Sequence, residues 1–165
     1  GGSINQFGHA FKNYGWEVRW ADTNDVSTFE SQIDDRTKAI FIESLANPGG
    51  IFVDIEKIGD IARKHGLPLI VDNTLASPYL VRPIEHGADI VVHSLTKFIG
   101  GAIVDGGTFD WSKSGKYPML SEPRPEYGGI VLHETFGNFA FAIAARVLGL
   151  RDIGPAISPF NAFLI

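Results

Sequence analysis

Apolar residues along the chain fall into two alternating rhythms. Ile4, Phe7, Phe11 and Tyr14 recur at helical spacing, with Ser3 as a candidate N-cap and Gly15 as a left-handed stop, so a helix is predicted over residues 1–15. Trp16–Ala21 alternates apolar and polar and predicts a strand, followed by a short helix capped by Asp25 or Ser27 and running to Ile33. Lys38–Glu43 predicts the next strand, and Asn47-Pro48-Gly49-Gly50 a turn. Asp54 then caps a helix with Ile55, Ile58, Ile61 and Ala62 on one face and Gly66 beyond its end. Leu67–Val71 and Ala88–His93 are almost wholly apolar, as strands covered on both faces are, with a short helix at Pro83–His86 between them. A short strand is expected at Ala102–Val104 and an irregular surface or interface segment over Phe109–Gly129. A long apolar helix is expected over Phe136–Leu150. Strands alternating with amphipathic helices predict an α/β domain with a mainly parallel sheet flanked by helices.

In such sheets a ligand site lies beyond the carboxyl ends of the strands. Asn47, Asp72 and Lys97 each follow a predicted strand, so three distant positions are expected to meet in one crevice. Lys97 carries the most chemistry. It sits where the strand gives way to Phe98-Ile99-Gly100-Gly101, with Ser94 and Thr96 just before it. A partly desolvated lysine loses its proton more readily and becomes a usable nucleophile or base. The two hydroxyls, with nearby backbone N–H groups, could hold a phosphate. Amine plus phosphate cradle points to a phosphorylated aldehyde held as a Schiff base. Each residue also has a plainer reading: a surface lysine, an Asp that caps a turn, an Asn-Pro turn, a Ser or Thr that caps a helix.

Composition narrows the field. The chain has 165 residues, 44% hydrophobic and 20% charged, with a formal net charge of −5, which suits one globular unit. The charges are interspersed and no basic patch appears, so neither nucleic acid nor an anionic membrane is an expected partner. Cysteine is absent, which removes disulfides, thiolate metal sites and a cysteine nucleophile and fits a reducing compartment. No histidines or acids recur at ligand spacing, so no metal site is expected, and His93, His133 and Glu134 are given no catalytic role. No apolar run approaches the ~20 residues of a membrane span.

Three stretches carry a family resemblance: Glu43-Ser44-Leu45-Ala46-Asn47-Pro48, Val71-Asp72-Asn73-Thr74 and Ser94-Leu95-Thr96-Lys97-Phe98-Ile99-Gly100-Gly101. In order and spacing the chain resembles the Cys/Met-metabolism family of pyridoxal-phosphate enzymes, of the aspartate-aminotransferase-like fold type I. Within it, Phe109-Asp110-Trp111-Ser112, Glu126 through Thr135, and Ser158-Pro159-Phe160-Asn161-Ala162-Phe163 look like the O-acetylhomoserine sulfhydrylase branch. The resemblance implies pyridoxal 5'-phosphate as cofactor, Lys97 as its Schiff-base lysine and Asp72 on the pyridine nitrogen. It also implies Asn47 on the ring hydroxyl oxygen, Ser94 and Thr96 on the phosphate, and Thr74 beneath the ring.

The implied reaction is γ-replacement on O-acetyl-L-homoserine by sulfide or a thiol, in methionine biosynthesis. Cystathionine γ-synthase and methionine or cystathionine γ-lyase are the alternatives within the family; an inert α/β fragment or an anion-binding module is the alternative outside it. A cytoplasmic homo-oligomer, dimer or tetramer, is implied as well. Residues 1–165 correspond to the central part of the cofactor domain, with an N-terminal segment and a C-terminal domain expected in addition. A glycine-rich loop of the family is expected to be missing between residues 100 and 102, where Gly101 runs directly into Ala102.

Overall fold

The computed structural model describes residues 2–95 and 99–165. Its centre is a four-stranded sheet in the order β1 (Ile40–Glu43), β2 (Leu69–Asp72), β3 (Ile90–Leu95), β4 (Gly100–Asp105). The first three strands are parallel and β4 returns antiparallel to β3. Parallel neighbours need a crossover, and helices supply it. The helices are α1 (Gly2–Gly8), α2 (Ser27–Ser31), α3 (Ile55–Lys64), α4 (Ser77–Leu80), α5 (Pro118–Ser121), α6 (Leu132–Phe136), α7 (Ala140–Ala144) and α8 (Pro159–Leu164).

Successive strand residues face opposite sides of a sheet, and both sides are covered here. Ile40, Ile42, Leu69, Val71 and Val91 pack with Ile55, Ile58 and Ala62 of α3. Ile90, with Ile70 and Val92, packs on the other side with Trp111, Leu120, Leu132, Ala140 and Ala144. α3 forms where the spacing predicts it, and its Asp54 cap accepts a hydrogen bond from the Lys57 backbone N–H at 3.1 Å.

Four expectations are corrected. Trp16–Ala21 forms no strand, and Trp16 and Trp20 remain more than half exposed. Alternation shows that a segment can be a strand, but a neighbouring edge must supply the ladder, and among the described residues β1 pairs only with β2. Strand β4 starts at Gly100, two residues before the expected Ala102, because Leu95 and Ser94 pair with Gly100 and Gly101. The long helix over Phe136–Leu150 is broken. Gly137 takes φ +52° and ψ −123°, which separates α6 from α7, and the winding widens over Ala145–Arg151. The segment 109–129 is irregular, yet it adds Trp111 and Leu120 to the core, with the Trp111 ring stacked on Phe141 at 5.3 Å. Trp111, packed edge-on against Phe109 and Tyr117, buries its ring without needing regular backbone.

Two predictions arise from this packing. A methyl group at Gly101 would lie 2.4 Å from the His93 carbonyl oxygen, inside van der Waals contact with backbone that cannot step aside. Gly101→Ala is therefore expected to destabilise the fold by about 1–3 kcal/mol through overpacking, measured by denaturant unfolding. Unchanged stability would show that the β3–β4 pairing is looser than described. The second prediction concerns Tyr117, whose hydroxyl donates to the Lys38 carbonyl at 2.9 Å. Burial, helped by the negative charge of Asp89, pushes its phenol up to about 12. The unfolded phenol ionises near about 10. The folded state thus favours the protonated form, and its contribution is complete below pH ~10 and lost as pH rises toward ~12. Alkaline unfolding curves should steepen in that window for the wild type and flatten for Tyr117→Phe.

Candidate active site

The carboxyl edge of the sheet brings together Asp72, Thr74 and Ser94. Glu43 and Asp72 are register partners, and Asp72 is in turn paired with Val92. Since Ile70 and Val92 pack on the same face, strand alternation sends Asp72 and Ser94 to that face as well. Asp72 is half-buried at the end of β2, and its Oδ1 accepts a hydrogen bond from the Thr74 backbone N–H at 2.9 Å. Thr74 Oγ1 accepts one from the Ser94 N–H at 2.8 Å. A continuous chain of hydrogen bonds thus links three of the predicted residues, with Thr74 as the bridge between two strand ends.

Asn47 stands at the tip of the loop that follows β1. The loop is closed by Ala46 N–H to Ile51 O at 2.9 Å and Gly50 N–H to Ala46 O at 3.0 Å. Gly49 at φ +114° and Gly50 at φ +63° supply the left-handed backbone this tight return requires. The Asn47 side chain is exposed, and its backbone N–H lies 3.5 Å from Glu43 Oε2. Lys97 and Thr96 lie outside the described residues; Ser94, three positions before Lys97, is the nearest predicted ligand on the described part of β3.

Other candidates fall away from this group. His93 alternates to the opposite face from Ser94, and His133 Nε2 faces Asp110 Oδ1 at 3.4 Å. Among the described residues no cluster of His, Asp or Glu could hold a metal ion. A cavity of about 680 Å³ lies at the start of α3, lined by Phe52, Asp54, Tyr79, Leu80, Arg82 and His86 among others. It contains none of the predicted ligands, and its charged groups are already paired: Asp54 with Lys57, His86 with Glu56, Arg82 with Glu85. The carboxyl edge of the sheet, where Asp72, Thr74 and Ser94 are linked, is therefore the better candidate.

Sequence reasoning assigned no role to two residues that complete the edge. Ser44 and Asn73 are fully buried polar side chains, and Ser44 Oγ donates to Asn73 Oδ1 at 2.7 Å. Their position just past two apolar strands was the available signal, since a polar group buried there must find a partner.

A half-buried carboxylate linked to two hydroxyl-bearing residues at one sheet edge can hold a cationic ring nitrogen and nearby polar groups. Comparison with known proteins agrees. The Cys/Met metabolism PLP-dependent enzyme family matches residues 1–165. An O-acetyl-L-homoserine sulfhydrylase from Leptospira meyeri is 46% identical over 180 residues, covering 100% of this chain and 40% of the relative. The chain therefore spans about two fifths of the length of the curated relatives it matches. A solved structure of a candidate O-acetylhomoserine (thiol)-lyase from Campylobacter jejuni, which contains a pyridoxyl-lysine phosphate, superposes with a TM-score of 0.93 at 39% identity. It is covered over 42% of its length by 99% of this chain. A cystathionine γ-lyase from Lactobacillus plantarum is more distant, at TM-score 0.69 and 28% identity, with 99% of this chain and 36% of that one covered. The sheet edge, the residues it assembles and the match along the whole chain lead to one conclusion: this chain belongs to the Cys/Met-metabolism family of pyridoxal-phosphate-dependent enzymes.

Proposed function

We propose that the full-length protein is a pyridoxal-phosphate enzyme that replaces the acetoxy group of O-acetyl-L-homoserine with sulfide or a thiol, giving homocysteine or methionine. The observation that carries this reading is the Asp72–Thr74–Ser94 chain of hydrogen bonds at the carboxyl edge. Relatives named as sulfhydrylases support the choice of substrate.

The donor set fits the cofactor. Asp72 would pair with the pyridine nitrogen, and its carboxylate favours the protonated ring. Asn47 would donate its side-chain amide to the ring hydroxyl oxygen. Ser94 and Thr96 would bind phosphate, Thr74 would support the ring, and Lys97 Nζ would hold the cofactor covalently. Pyridoxal phosphate, when bound, supplies an electron sink for negative charge on substrate carbon. The residues do the rest. Asp72 keeps the ring nitrogen charged, and Lys97 Nζ moves protons at the substrate Cα and Cβ as acetate leaves Cγ and sulfide adds there. That role calls for a lysine that gives up its proton readily, as partial desolvation makes a lysine do.

The test is product analysis. Acetate release from O-acetyl-L-homoserine that requires sulfide, with homocysteine as product, supports the proposal; release of ketobutyrate without sulfide would make the protein a γ-lyase instead. The likeness to cystathionine γ-lyase keeps that second reading, together with cystathionine γ-synthase, in view.

We further infer that residues 1–165 are the central part of the cofactor domain and that the protein is a cytoplasmic homo-oligomer, a dimer or tetramer. Among the described residues no helix is long and apolar enough to cross a membrane. A missing glycine-rich loop between residues 100 and 102 belongs to the same reading. Its support is that the Leptospira match runs over 180 residues against 165 here.

A further inference from the structure

Ser44 and Asn73 are the buried polar residues of the described chain, each with no exposed surface. Burying such groups is costly unless every polar atom is partnered. Ser44 Oγ donates to Asn73 Oδ1 at 2.7 Å, and Asn73 Nδ2 donates to the Val81 carbonyl at 2.8 Å. The Asn73 side chain is thereby held at both ends, so it has a single orientation. Backbone bonds extend the network. Ser44 N–H donates to Asp72 O at 2.9 Å, Asn73 N–H to Val92 O at 2.9 Å, and Ser77 N–H to Asn73 O at 2.9 Å.

This one side-chain bond joins two of the segments that carry candidate ligands. Ser44 opens the loop that presents Asn47. Asn73 lies between Asp72 and Thr74. An apolar pair of similar volume would fill the same space, but it would impose no direction on the strand ends.

We propose that the Ser44–Asn73 hydrogen bond is the positioning device of the site, setting the Asp72 carboxylate and the Asn47 loop in the mutual orientation that a pyridine ring requires. Neither residue touches the ring; both act through their neighbours. The inference rests on the reading of Asp72 as the cofactor's acid.

The experiment uses the full-length protein stripped of cofactor and titrated with pyridoxal phosphate. For Ser44→Ala, affinity is expected to fall about tenfold, the scale on which supporting contacts act at ligand sites. The pH midpoint of the bound cofactor's visible band should also move, because it reports how closely Asp72 approaches the ring. Ser44→Cys has nearly the same volume and a weaker donor. It should give both changes at smaller amplitude, and it carries the test if Ser44→Ala does not fold. Wild-type affinity and midpoint in the variants would overturn the positioning role and leave the cofactor site standing. A loss of affinity that tracks a fall in cofactor-free melting temperature, with the midpoint unmoved, would reduce the pair to a structural one and also overturn it. A wild-type protein that binds no pyridoxal phosphate would overturn the site assignment, and this inference with it.

Discussion

Lys97→Ala is expected to abolish covalent capture of pyridoxal phosphate and to lower turnover of O-acetyl-L-homoserine by at least about 10²–10⁴-fold, the range that a positioned acid–base group contributes. The residue type is decisive. Arginine keeps the charge, but it stays protonated and cannot serve as nucleophile or base, so Lys97→Arg should fail as Lys97→Ala does. Mass analysis after borohydride treatment provides a measurement independent of rate. The wild type should gain the mass of a reduced cofactor on the peptide containing Lys97, and neither variant should. Turnover near the wild-type rate in Lys97→Ala would remove the residue from the mechanism.

Asp72→Asn should produce the second large effect without disturbing the fold. The replacement amide is nearly isosteric, and its oxygen can still accept the Thr74 N–H that Asp72 Oδ1 accepts at 2.9 Å. What it loses is the negative charge proposed to face the ring nitrogen. Turnover is expected to fall by about 10²–10³-fold, the scale for removing one preorganised electrostatic partner. The bound cofactor should lose the protonated-ring signature in its pH titration, while the unfolding midpoint of the cofactor-free protein stays near wild type. Asp72→Glu keeps the charge but moves it outward by one methylene, and it should recover part of the rate. Full activity in Asp72→Asn would mean that another group protonates the ring.

Some features of this protein were legible before any coordinates. The 3.6-residue spacing of Ile55, Ile58 and Ala62, with Asp54 before them, specified α3 because it is a local property of the chain. Leu69–Val71 and Ile90–Val92 were legible as covered strands because burial on both faces leaves no polar position in them. Trp16–Ala21 misled for the converse reason: its alternation is local, but a strand depends on an edge supplied by another segment. Gly137 shows a similar limit, since one left-handed backbone angle interrupts an apolar run whose periodicity continues.

The site divides along the same line. Asn47, Asp72 and Lys97 stood out as candidates because each follows an apolar run in a sheet of this class, and Ser94 because it flanks Lys97; residue type then restricts the chemistry. Ser44 and Asn73 were passed over as candidates because their importance lies in a partner 29 positions away. By itself, then, the sequence determined the central elements such as α3 and the covered strands, the family, and the candidate residues for the proposed chemistry, since these depend on side-chain type and short-range spacing. Only the tertiary structure decided which of them meet, through the Glu43–Asp72–Val92 register, the Thr74 bridge to Ser94 and the buried Ser44–Asn73 bond. Pairing register and burial belong to the folded sheet as a whole, and no local pattern contains them.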